Sequence, residues 1–89
     1  MKLHNLMEDE VLIIVNRLMD NVDDMCTCEK CRMDVTAIAL NNLPTKYVVT
    51  EKGELYGKLD TMNYQFETDI IKEVIKAIEK VKKSPQHFN

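Results

Sequence analysis

A small, mainly α-helical domain of three principal helices follows from three observations on this 89-residue chain. Apolar residues recur at spacings of three and four over two long stretches, 6–22 and 63–83, as on a helix with one buried face. A third stretch, 28–42, keeps the same spacing through Cys31, Val35, Ile38 and Asn42. No repeat, low-complexity tract or linker divides the chain, so residues 1–89 read as a single domain.

The first helix is expected over 6–22. Asn5, with Glu8 three residues on, resembles a capping box, and Glu8, Asp9 and Glu10 place negative charge where the helix dipole favours it. Met7, Val11, Ile14, Leu18 and Val22 form one stripe, and Leu12, Val15 and Met19 form a second beside it. So wide an apolar face needs more than one neighbour to cover it.

The polar run 21–24 ends that helix, and Thr27 is placed to cap the second, which Pro44 stops because proline disfavours helical geometry in the residue before it. Residues 47–50 have strand character, 51–54 read as a turn, and 55–59 are placed to return antiparallel. The alternatives are an extended arm or a helical turn over 55–59. The last helix carries Phe66, Ile70, Val74, Ala77 and Val81, broadened by Ile71, Ile75 and Ile78. Its acids lie near the start and Lys80, Lys82 and Lys83 near the end, matching the dipole, and Ser84-Pro85 closes it.

All three cysteines lie within six positions, at Cys26, Cys28 and Cys31. Crowded thiols oxidise unless something holds them, and an odd count argues against a disulfide framework. Zinc takes four ligands in a tetrahedron and accepts thiolates well, and the start of a helix stabilises thiolate charge. C-x-C-x-x-C therefore reads as three ligands of a structural zinc site. The fourth is expected from His87, if the last helix returns the tail to the loop; His4 is second choice, and water, Asp23, Asp24 or a partner chain third. Three other uses stand beside zinc: a Cys28/Cys31 redox pair, an iron-sulfur cluster lacking its fourth thiolate, and small buried residues.

A chain of 10.4 kDa has a thin stability margin, commonly widened by a metal or a partner subunit. A net charge of −3 gives no general attraction to nucleic acid. Lys72, Lys76, Lys80 and Lys83 align on one helix face, which reads as solvated surface before any phosphate or acidic partner. Arg32 and Asp34, next to the cysteines, are candidates for a ligand contact or for an ion pair. No phosphate-binding glycine loop, paired histidines or nucleophile with a base is present, so the chain does not read as an enzyme. The N-terminus does not read as a signal peptide and no apolar run is of membrane-spanning length, so a cytoplasmic location is expected.

The run 26–49, C-T-C-E-K-C-R-M-D-V-T-A-I-A-L-N-N-L-P-T-K-Y-V-V, is followed by K-G-E-L-Y and by a helix ending in S-P-Q-H. Together these resemble the late competence development protein ComFB family over nearly the whole chain. The resemblance implies a small helical homodimer with cysteine-bound zinc, encoded among genes for late competence and DNA uptake, in a regulatory or assembly role with a protein partner. Cys26, Cys28 and Cys31 match the family's metal-binding cysteines. A further C-terminal cysteine of some relatives is missing here, which brings His87 forward. Related proteins also look like cyclic-dinucleotide receptors, a use for which Arg32, Lys46, Tyr47 and Tyr56 are the candidates here. A zinc-thiol redox switch, in which oxidation ejects the metal, is the other alternative.

The broad apolar faces of the first and last helices predict a two-fold pair. Light scattering should give a mass of about 21 kDa, twice the 10.4 kDa of the chain; a monomer would contradict the pairing.

Overall fold

Leu6 opens the first helix directly from a strand, and one side chain, Asn5, manages the junction. The computed structural model describes residues 2–49, 53 and 64–84, with only the backbone given over 64–66. In chain order it forms β1 (His4–Asn5), α1 (Leu6–Met19), α2 (Glu29–Asn41), β2 (Tyr47–Val48) and α3 (Tyr64–Lys83). Among the described residues no helix is long and apolar enough to cross a membrane.

α1 buries residues from both expected stripes: Met7, Val11, Ile14, Val15 and Met19 are buried, Leu18 packs against them, and Leu12 and Val22 are half-buried. The helix ends at Met19, three residues before the expected Val22. Its last carbonyls are taken by tighter bonds and by a side chain, since the N–H groups of Asn21 and Val22 donate to Leu18 and Met19, and Asn21 Nδ2 donates to the Arg17 carbonyl at 2.9 Å.

α2 begins at Glu29 with Cys28, not the expected Thr27, as its N-cap residue. Cys31, Val35 and Ala39 face the core. Thr36 is buried with them because its hydroxyl donates to the Arg32 carbonyl at 2.7 Å. Asn42, expected on the buried face, is instead the exposed C-cap residue, with Nδ2 donating to the Ile38 carbonyl at 2.8 Å. α3 lies chiefly along α2 and touches α1 less. Ile70, Val74, Ala77, Ile78 and Val81 fill the space between them. Ile13 on α1 and Ile75 on α3 stay 61% and 48% exposed, so each helix keeps an apolar residue outside the core.

β2 has a strand partner that the sequence did not suggest. Tyr47–Val48 runs antiparallel to His4–Asn5, with His4 opposite Val48 and Asn5 opposite Tyr47. Residues 55–59, the expected return strand, lie outside the described residues, and the supposed leader before α1 supplies the partner that is described. Two-residue strands are marginal alone, and Asn5 supplies what the ladder lacks. Its Oδ1 accepts the N–H of Met7 at 3.1 Å, capping α1, and the N–H of Lys46 at 2.8 Å. Leu6 N–H adds a bond to the Lys46 carbonyl at 2.8 Å. The anticipated helix cap at Asn5 is thus present, with Met7 as donor, and it also holds β2.

Replacing Asn5 with alanine removes an N-cap and leaves a partly buried N–H without its acceptor. Urea unfolding should show a loss of about 2 kcal/mol. Asn5→Asp, which keeps an oxygen at the same place, should retain most of the stability. Equal losses in the two variants would show that the oxygen is not what matters.

Candidate metal centre

The segment between α1 and α2 and the first turn of α2 bring the three thiols to one point. Cys26 and Cys28 lie on the exposed surface of the segment, while Cys31, in the first turn of α2, is 1% exposed and belongs to the core with Val35 and Val81. The three sulfur atoms all stand within 4.8 Å of one another, and none is engaged in a disulfide. Sulfurs on a tetrahedral zinc, bonded at about 2.3 Å, are about 3.8 Å apart. Small side-chain rotations bring this triad to that separation, so the donor set fits three corners of such a site. Among the described residues no histidine, aspartate or glutamate joins the group.

The environments of the thiols differ. The backbone N–H of Cys31 is first among the groups that lower the Cys28 pKa below the usual thiol value, with Cys26 adding to it. Both effects act at the start of α2, where the helix dipole also favours negative charge. Burial pushes the Cys31 thiol up to about 12, and contacts with Cys28 and Cys26 push in the same direction. At neutral pH, Cys31 is therefore a protonated core residue that a metal would have to deprotonate, so metal uptake weakens as pH falls.

Charged side chains hold the segment on both sides. Lys82, near the end of α3, pairs with Asp24, and this hydrogen bond lowers the Asp24 pKa and raises that of Lys82. Met25 packs against the core next to this tie. From the other side, the Arg32 guanidinium donates to the Thr27 carbonyl at 2.8 Å, to Asn16 Oδ1 at 2.9 Å and to Asp20 Oδ1 at 2.7 Å. Asp34 takes no part, since it pairs with Lys30 one turn earlier at 2.6 Å. A cleft of about 230 Å³ opens beside the thiols, lined by Asp24, Met25, Cys26, Cys31, Val81 and Lys82.

Of the other expected site residues, those that the structure describes are dispersed. His87 and Tyr56 lie outside the described residues. His4 is in β1, its Nε2 3.6 Å from Asp9, with the 14 residues of α1 between it and the thiol segment. A helix of that length spans about 20 Å, which removes His4 as a ligand within one chain. Arg32 is at the thiol end of α2, while Lys46 and Tyr47 follow its other end, so the single chain does not gather them. Lys82, which the sequence offered only as a complement to the dipole, proves to be the tie from α3, and Asn16 and Asp20 gave no signal beyond their spacing of four.

The model of the family described as late competence development protein ComFB matches residues 4–85. Competence protein ComFB of Bacillus subtilis (strain 168) is 31% identical over 72 residues, covering 81% of this chain and 74% of that protein. A solved structure of the late competence protein ComFB from Bacillus subtilis superposes with a TM-score of 0.85 at 29% identity, over 98% of this chain and 96% of that one.

In reduced, metal-free protein at pH 7.5, brief treatment with iodoacetamide should label Cys26 and Cys28 before Cys31, as read by peptide mass spectrometry. The exposure of Cys26 and Cys28, the lowered pKa of Cys28 and the raised pKa of Cys31 favour this sequence of events. Early labelling of Cys31 would mean that it is not held in the core.

Proposed function

Since the chain belongs to the late competence development protein ComFB family, we propose that it is a non-enzymatic zinc protein that pairs as a dimer and serves a regulatory or assembly role in late competence. The convergence of Cys26, Cys28 and Cys31 to within 4.8 Å carries this reading. The setting in competence is carried over from the relatives in Bacillus subtilis.

His87 is the fourth ligand in this reading. α3 ends beside the thiols, because Lys82 is tied to Asp24 and Val81 and Lys82 line the same cleft as Cys26 and Cys31. His87 lies three positions beyond Ser84, and three extended residues reach about 10 Å, enough to return to that cleft. A site with all four positions filled by the protein has none left for a substrate, which makes the metal structural. It would join the start of α2, the preceding segment and the end of α3 at one point. Ile13 and Ile75, exposed on the outer faces of α1 and α3, support the dimer, since a second copy would cover them.

Mass-spectrometric metal analysis of the native protein, purified without added metal, should find about one zinc per chain. Cys31→Ser should lower both zinc content and melting temperature, because metal binding and folding are coupled, and His87→Ala should weaken zinc retention against a chelator. Reduced protein containing neither zinc nor iron would overturn the proposal, and full retention by His87→Ala would reassign the fourth ligand.

A further inference from the structure

We infer that Arg32 is the positioning residue of the thiol triad: it sets the direction of the Cys26-Thr27-Cys28 peptide so that two exposed thiols meet the buried one before any metal arrives. The inference rests on the zinc reading above and adds to it the residue that shapes the site.

Cys31 needs no such help, because α2 and the core fix its sulfur. Cys26 and Cys28 are exposed, on a segment outside any helix or strand, where apolar packing holds little. Thr27 lies between them, and its carbonyl accepts from Arg32 Nε at 2.8 Å. The remaining arms of the same guanidinium reach Asn16 Oδ1 at 2.9 Å and Asp20 Oδ1 at 2.7 Å, two acceptors one helical turn apart at the end of α1. One planar group thus ties three places: the start of α2 that bears it, the end of α1, and the peptide between two ligands. On the preceding side the segment is held by Met25 against the core and by Asp24 on Lys82. The thiol arm is therefore clamped at both ends, and its conformational freedom is reduced before binding, which favours affinity.

The pattern needs an arginine. Its donors leave in fixed, divergent directions within one plane, whereas a lysine ammonium is a single point that cannot serve three acceptors on three segments at once. Asp20 alone would be satisfied by any cation. Asn16 and the Thr27 carbonyl are neutral and select for the fork.

The test is competition of zinc against a chromophoric chelator with the full-length chain, comparing wild type, Arg32→Lys, Arg32→Met and Asn16→Ala. Circular dichroism and melting of the metal-free forms serve as a check on folding. Both Arg32 variants should bind zinc about tenfold to a hundredfold more weakly, as substitutions of residues supporting metal ligands do. Asn16→Ala should show a smaller loss of the same sign. The thiolate-to-cobalt absorption of the cobalt-loaded Arg32 variants should also change in position or intensity, a signature that lost stability alone would not move. Wild-type affinity in Arg32→Lys would overturn the inference, because charge would then suffice. Should the Arg32 variants fail to fold, Asn16→Ala decides, and unchanged zinc affinity there overturns it. Wild-type protein that takes up no zinc would sink the zinc reading and this inference together, an outcome distinct from a wild type that binds alongside variants that bind equally well.

Discussion

Cys31 is a member of the apolar core and also stands within 4.8 Å of two exposed thiols. Most of the molecule's organisation follows from that double membership. A residue packed with Val35 and Val81 cannot shift without disturbing the contact between α2 and α3. Whatever gathers around its sulfur is consequently registered to the helices with little play. The same burial that fixes the atom also keeps its proton on, so an ion at this point must act against the core's preference for the neutral thiol. Position and protonation are opposed, and a doubly charged metal is the kind of partner that resolves the opposition.

The two ends of the helical layer are built differently. At the thiol end, guanidinium and ammonium groups add to the packing of Met25 and tie down a segment outside the helices. Opposite it, a two-residue ladder and one amide oxygen join the start of the chain to the segment after α2. The ion pairs are exposed, and such pairs contribute little to stability when isolated in water. Their value is geometric: they choose one path for the thiol segment among the many that its composition permits.

The helices were legible because each buries a face with helical spacing, and the family resemblance was legible in the local run from Cys26 to Val49, which the match over residues 4–85 bears out. The triad was legible for the same reason, since C-x-C-x-x-C at a helix start leaves its sulfurs little room to diverge. The partner of Tyr47–Val48 could not be read, because two-residue strands have no period and the pairing spans over forty residues. Val22 misled: it continues the apolar spacing, but Asn21 takes a helical carbonyl with its side chain and ends the helix first. Arg32 was noticed for its place beside the cysteines, yet its acceptors, Asn16 and Asp20, come from another helix, and no local pattern pairs them with it.

Asn5 Oδ1 receives the N–H of Met7 and that of Lys46 on one oxygen atom. Two openings that are independent in most proteins, the fraying of a helix start and the release of a sheet edge, here share a single event. When the Asn5 side chain turns away, both amides are exposed to solvent together. Their hydrogen exchange should proceed as one cooperative unit although they lie 39 positions apart (46 − 7). The boundary between the first strand and the first helix thus couples the opening of the strand pair to that of the helix start.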